Sequence, residues 1–527
     1  MFMRTRFVLM RGGWLLVNGL LLLYALVWLL VVSERLRYPF DLDFIEGGLL
    51  VQAWRMARGL PVFLAPNVVF VPHAYTPLFP AIGALLLRWT GPALWPLRLI
   101  SVLAALMTAT VLGLSARREY QAQGPAPTTA HFSHTHGFIS AGLFCAGYGL
   151  MGGWYDLARV DALFVLCSLA GVAASIYARR RGHLIAAALC LGLAFFSKQT
   201  ALGFGLAAAL WLWLARGRQA AAWFALTYAA IVAGGILLLN GGSQGAFVSI
   251  ILRNVTGEPL EGARLLSFAW NDLLWRMGPL LGLYLWAAWR SWSRPGRGPA
   301  QRMAWLRQNP WLFFTGVALL LSALQRARPG GALNTLLPAY TFLCLAPVML
   351  HSASRRLALQ GGRRAPAEGE GGASRQIAHH EWVLLVSLLA QLLLARYDPR
   401  AYQPTAAMTQ AGERLVTRVR QAGGQVWLWE QPTFNLLAGQ EPAVQVHALW
   451  HARRRGVDPL PADVSEAITA RRFALIIPGD SLFDQDPALQ QLLQTNYVLV
   501  QALSPSDAPP TLNAFIVRPA AVYRPRP

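Results

Sequence analysis

A chain of 527 residues that is 55% apolar and 13% charged, with a mean hydropathy of +0.40, carries more apolar surface than one water-soluble core can bury, so lipid has to be part of its solvent. The formal charge of +22 would suit a nucleic-acid binder, but the arginines fall in short clusters at the ends of apolar runs rather than along one polar face. That pattern sets membrane orientation and argues against a nucleic-acid partner.

Arg4, Arg6 and Arg11 precede an apolar run at 14–32 that is too long for a secretory signal and lacks a small-residue cleavage site, which predicts a retained first span. Further apolar runs predict spans at 96–114, 137–153, 162–177, 184–196, 200–214, 220–239, 273–289, 311–324, 333–350 and 382–394, eleven in all. With the amino terminus in the cytoplasm, the inner loops hold Arg117 and Arg118, Arg179 to Arg181, Arg216 and Arg218, the arginines of 290–307 and those of 355–375. Each of these loops is basic, as inner loops should be. Joining 184–214 into one tilted helix would turn the two most arginine-dense loops outward. The run 75–89, entered through a proline-rich turn, is expected as a helix at the outer interface rather than a twelfth span.

The segment 361–372, rich in Gly, Arg and Glu, reads as an unstructured cytoplasmic loop. Beyond residue 397 the pattern changes to a helical stretch at 408–421 and strand-like runs at 425–429, 474–477, 497–503 and 514–517, the alternation of a small α/β unit. The division is therefore 1–396 for the membrane part, with a first outer loop at 34–95, and 397–527 for an extracytoplasmic unit with a substrate-access or stabilising role. Cys145, Cys167, Cys190 and Cys344 sit singly in apolar runs and read as small core residues.

The chemistry concentrates in the outer loops. Asp41, Asp43 and Glu46 lie together after the first span. If a helix starts at Asp43, then Asp43 and Glu46 share a face, where one carboxylate can take a proton while the other orients an acceptor or a metal ion. Equally, Asp43 can be a helix cap completed by Glu46. Asp156, Arg159 and Asp161 crowd the mouth of a span, either contacting substrate or paired with each other. Lys198, the chain's one lysine, falls between two apolar runs, where it can hold a phosphate or merely snorkel to the interface. Arg326 and Arg328 are an outer-loop exception to the basic-inside pattern and suggest anion recognition; Arg98, at the start of the second span, is placed similarly.

The run Asp43-Phe44-Ile45-Glu46-Gly47 directly after the first span, followed by Arg58-Gly59-Leu60-Pro61-Val62-Phe63 and Tyr75-Thr76-Pro77-Leu78-Phe79-Pro80, resembles the GT-C membrane glycosyltransferases, within them the protein mannosyltransferase and aminoarabinose transferase branch. The resemblance implies an acidic catalytic residue in the first outer loop, a polyprenyl-phosphate sugar donor and an extracytoplasmic cavity. It adds Tyr75 to the candidate substrate contacts, supports Lys198 as a phosphate ligand before a returning span, and adds Asn334 after the Gly330-Gly331 turn. Many relatives place Asp and Glu side by side, whereas Asp43 and Glu46 are separated here, so the base remains one of Asp41, Asp43 and Glu46.

The expectation is thus an all-α polytopic membrane protein of GT-C type with a small C-terminal α/β unit, in the inner membrane of a bacterial cell. It would transfer a sugar from a polyprenyl-phosphate donor to a lipid, glycan or protein acceptor. No tightly bound cofactor is expected, and a requirement for a divalent cation, Mg²⁺ or Mn²⁺, is left open. The competing readings are a transporter or flippase of lipid-linked sugars and a non-catalytic scaffold for envelope assembly.

Overall fold

The computed structural model describes residues 2–122, 129–256, 259–292, 304–305, 307–361, 371–453, 456–481 and 486–527. Most of the expected loop at 361–372 and part of that at 290–307 lie outside the described residues.

Helices occupy every apolar run. The first, Phe2–Arg37, ends where Pro39 withdraws an amide and disfavours a helical Tyr38. Trp95–Gln121 begins with a proline in its first turn, where the missing N–H costs nothing. Among the described residues four helices are long and apolar enough by length and composition to cross a membrane: Leu9–Arg37, Trp95–Gln121, Arg218–Gly242 and Leu333–Arg355. The chain is a membrane protein. Leu78–Thr90, with 13 residues and a rise of about 1.5 Å per residue, is about 20 Å long, short of a bilayer's hydrocarbon core.

The four candidate spans sit differently. In Arg218–Gly242 17% of the apolar window is buried inside the protein, and in Leu333–Arg355 94% is. The former therefore offers most of its surface outward, while the latter forms the centre of the bundle. Close approach to that central helix depends on Gly147, where a Cβ would fall 2.0 Å from Cε1 of Tyr340, whose hydroxyl donates to the Leu143 carbonyl at 2.6 Å.

One expected span is shortened, and the run expected as two spans is two helices. The helix Thr129–Ala146 stops seven residues before the expected end at 153, because Gly147, Gly149, Gly152 and Gly153 lead the chain through turns. The run 184–214 is two helices, Arg181–Ser197 and Leu202–Arg216, separated by Lys198 in extended conformation (φ −151°, ψ 123°) and a 3₁₀ turn at Gln199–Ala201.

In the C-terminal region, Ala406–Arg420 is capped by Thr405, whose side chain accepts from the Met408 amide. A four-stranded sheet follows: β1 (Val426–Leu428), β2 (Leu475–Ile477), β3 (Tyr497–Ala502) and β4 (Ala521–Pro525), in the order β1-β2-β4-β3. β1 and β2 are parallel, with Val426 opposite Leu475; β4 pairs antiparallel with both β2 and β3. The expected strand at 514–517 is absent and β4 lies further along, since the chain here serves another purpose: the amides of Leu512 and Asn513 both donate to the Leu42 carbonyl, each at 2.9 Å.

The C-terminal region also packs against the membrane part. Leu415, Val419, Val426, Phe434 and Leu475 belong to one continuous apolar core with Trp28, Tyr148, Tyr155 and Tyr340 of the membrane part.

Candidate functional site

The site is assembled from four loops and the C-terminal region, all meeting where the first helix ends. Arg35, in its last turn, binds Asp156 at 2.5 Å, the Tyr402 carbonyl at 3.0 Å, Gly153 O at 3.2 Å and Asn513 Oδ1 at 2.9 Å. One guanidinium thus ties together the first helix, the loop at 147–160 and the chain's carboxyl end. Asp156 is a structural ion-pair partner of Arg35 rather than of Arg159, and sequence reasoning missed Arg35 because an arginine at the end of a span looks like an ordinary flank.

Arg98 is likewise structural. Fully buried, it donates to both oxygens of Glu46, at 2.9 and 2.7 Å, and to the carbonyls of Arg35, Tyr38 and Phe40. All five of its N–H donors are thus engaged within the protein. Glu46 is equally saturated: Oε1 also accepts from the Ala158 amide at 2.6 Å and Oε2 from Leu42 N at 2.7 Å. Burial opposes its charge, but the Arg98 guanidinium and the two amides outweigh burial and leave the carboxyl below its ordinary value. With four donors on two oxygens, Glu46 pins the loop to the helix Glu46–Ala57 and the turn at 158.

Asp43 differs. Its Oδ1 accepts from Ile45 N at 3.1 Å and from Arg159 at 2.5 Å, while its Oδ2 is buried without a partner among the described residues. Burial raises its carboxyl above the ordinary value, and Arg159 opposes that shift. Arg159 also donates to the Tyr75 hydroxyl at 3.0 Å and stands 3.7 Å from Asp161. Asp161 in turn receives Lys198 Nζ at 2.7 Å and Asn334 Nδ2 at 3.0 Å, and its buried Oδ2 faces Arg159 Nε without a hydrogen bond among the described residues. Five of the sequence candidates, together with Tyr75, therefore form one ladder: Asp43, Arg159, Asp161, Lys198 and Asn334. The backbone break at Lys198 is held beside it, since Thr76 donates to Phe195 O at 2.8 Å, Gln199 to Ala74 O at 2.9 Å and Ser197 to Val160 O at 3.0 Å.

Asp41 points elsewhere, accepting from Thr433 Oγ1 at 3.0 Å. Burial first, and then the nearby Glu46, push its carboxyl up to about 8, so it is mostly protonated at neutral pH. Arg326 is committed to Asp272 at 2.8 Å and to the Gly331 carbonyl, and so braces the turn that leads to Asn334. Arg328, on the same turn, is half-buried and donates its amide to Gln325 O. Among the described residues neither side chain hydrogen-bonds or ion-pairs with the ladder.

The C-terminal contribution was invisible in the sequence. Gln445 Nε2 donates to the carbonyls of Phe44 and Glu430, each at 2.6 Å, while its Oε1 meets His73 Nε2 at 2.9 Å. The His447 ring stands edge-on to Phe44 with centroids 4.6 Å apart. Nothing in the spacing of 433–447 marks these residues, which lie about 400 positions from the loop they touch.

For a divalent cation the donor set fits poorly. Among the described residues no three His, Cys, Asp or Glu side chains converge to hold one. The carboxylates of the ladder already face Arg159 and Lys198, so little negative charge is left to compensate a dication.

This arrangement of helices is a fold shared with solved GT-C glycosyltransferases. ArnT from Cupriavidus metallidurans in its apo state superposes with a TM-score of 0.53 at 12% identity, covering 97% of this chain and 98% of its own. The archaeal oligosaccharyltransferase AglB from Archaeoglobus fulgidus, solved with an inhibitory peptide and a dolichol-phosphate, superposes at 0.50 with 12% identity, over 91% of this chain and 69% of its own. No family model and no curated protein sequence matches the chain.

Proposed function

We propose that the protein is a glycosyltransferase that moves a sugar from a polyprenyl-phosphate donor to an acceptor hydroxyl or amine on the extracytoplasmic face of a bacterial inner membrane. The observation that carries this reading is the single uncommitted oxygen of Asp43, whose other oxygen is fixed by Ile45 N and Arg159 at the head of an ion-pair ladder. The GT-C fold supports it, and AglB, which shares that fold, was solved with a dolichol-phosphate.

Of the three acidic residues in the loop, Glu46 has no oxygen to spare and Asp41 holds its proton at neutral pH. That leaves Asp43 Oδ2 as the base, its carboxyl raised by burial toward the pH at which it must work. Asp43 takes the proton of the acceptor. The acceptor's oxygen or nitrogen forms the bond to the anomeric carbon, the carbon–oxygen bond to the carrier phosphate breaks, and the electron pair leaves with the phosphate. In-line attack inverts that carbon. Lys198 and Arg159 are the cations placed to offset the charge growing on the phosphate. Because the ladder is closed, the donor has to part Lys198 from Asp161. Of the two cations Lys198 is the more exposed, at 8% against 2% for Arg159, so the phosphate enters from that end.

The test is direct. Purified protein is incubated with radiolabelled undecaprenyl-phosphate hexoses and pentoses and an envelope lipid extract, and free carrier is measured. Carrier release by the wild type, reduced about 10²- to 10⁴-fold in Asp43→Asn with unchanged membrane insertion, is the expected outcome. Full turnover by that variant removes Asp43 from the mechanism, and a wild type that moves the lipid-linked sugar without releasing carrier is a transporter.

A further inference from the structure

Deepening the transferase reading on which it rests, the geometry assigns His73 to the acceptor: with its ring held as the Nε2–H tautomer by Gln445 of the C-terminal region, its Nδ1 receives a hydrogen bond from an N–H or O–H of the acceptor other than the one Asp43 deprotonates, and so positions the attacking group for Asp43.

The tautomer follows from counting donors. The Gln445 amide nitrogen points at two carbonyl oxygens, Phe44 O and Glu430 O, each 2.6 Å away. Turning the amide over would set oxygen against oxygen twice, so Oε1 must be the atom that faces His73. An oxygen 2.9 Å from Nε2 can only accept, hence Nε2 carries the hydrogen and Nδ1 carries the lone pair. Among the described residues no group donates to that Nδ1. Burial, with the charge of Arg159 adding to it, depresses the imidazole to about 3, so the ring is neutral and its lone pair available throughout the physiological range.

Position supports the assignment. His73 and Tyr75 flank one bend of the loop, with ring centroids 6.5 Å apart, and the Tyr75 hydroxyl meets the same guanidinium that holds Asp43. On its other side the His447 ring lies 5.9 Å away, also kept uncharged by burial. The charged ladder thus has on one side a neutral, hydrogen-bond-accepting wall, suited to a polar nucleophile that brings its own proton rather than to a phosphate. Gly48 leaves room for the pair, since a Cβ there would lie 2.0 Å from His73 Nε2 and 2.4 Å from Gln445 Oε1.

The experiment separates a structural ring from an acceptor-binding one by splitting its two nitrogens. In His73→Gln the amide can still donate to Gln445 but offers nothing at Nδ1; in His73→Asn the side-chain oxygen sits near Nδ1 and the bond to Gln445 is lost. Both are assayed with radiolabelled undecaprenyl-phosphate hexose while the envelope lipid extract is titrated. His73→Gln should raise the half-saturating extract concentration at least tenfold with the donor KM within twofold of wild type, whereas His73→Asn should stay within threefold for the extract. Equal effects of the two variants, the opposite order, or parallel changes in donor and extract overturn the assignment. Should His73→Gln fail to fold, His73→Asn decides alone: within threefold upholds it, tenfold or more overturns it. A wild type that releases no carrier defeats the transferase reading itself, a failure visible before either variant is made.

Discussion

At the scale of single residues, the first loop holds three carboxylates with three different fates, set by how many donors each receives. Glu46 has four, Asp43 has two on one oxygen, and Asp41 has Thr433. The sequence supplied the cluster and its neighbours Arg159, Asp161 and Lys198, because acidic and basic residues at the mouths of apolar runs are costly without a reason. It could not rank them, since the donors come from Arg98, Ala158 and Thr433, distant in the chain. The raised carboxyl of Asp41 has a consequence for stability. Between about pH 3.8, where an ordinary aspartate loses its proton, and about 8, the folded chain binds a proton at Asp41 that the unfolded chain has released. Stability from this group is therefore complete at low pH and falls as pH rises through that window. In Asp41→Asn, which keeps an oxygen for Thr433, the decline of Tm from pH 5 to 8 should be shallower than in wild type. Equal slopes in a thermal shift series would show that Asp41 is ionised in the folded protein.

Among the elements, the helix Glu46–Ala57 shows how sequence and packing divide the work. Two consecutive glycines after Glu46 are poor helix formers, and propensity alone would not choose them. Packing explains them: a Cβ at Gly47 would stand 2.6 Å from Asp41 Oδ1, and one at Gly48 would press on His73 and Gln445. Gly48→Ala should cost about 1–3 kcal/mol by overpacking and lower transfer through displacement of His73, read as a drop in Tm together with reduced carrier release. A wild-type Tm would mean that the C-terminal region can retreat from the helix. The break at Lys198 teaches the complementary lesson. The basic-inside rule required 184–214 to be split, and the structure places an extended residue at that point. The turns at Gly147–Gly153 were readable in principle from four glycines but were masked by the apolar run around them.

The whole molecule is held together from its carboxyl end. Leu512 and Asn513 fasten Leu42, Asn513 also accepts from Arg35, and Gln445 carries Phe44. Because the C-terminal region shares one apolar core with the membrane helices, the two should unfold together. Calorimetry of the detergent-solubilised chain should show a single transition. Asn513→Ala should move that transition down as a unit, since a buried guanidinium that loses an acceptor costs about 1–3 kcal/mol. Two resolved transitions, with only the lower one shifted, would make the C-terminal region an independent domain.

What the sequence determined by itself was everything that depends on solvent and on short spacing: a lipid-facing helical chain, the position of its apolar runs, and the loops where charge gathers, because hydrophobic burial and charge exclusion act locally along the chain. Tertiary structure alone decided which charges cancel and which atoms stay available. Arg98 and Glu46, Arg35 and Asp156, and His73 and Gln445 meet only when segments tens to hundreds of residues apart are brought within hydrogen-bond reach. Whether a buried carboxylate is a fastening or a base is settled by that pairing, which one-dimensional order does not encode.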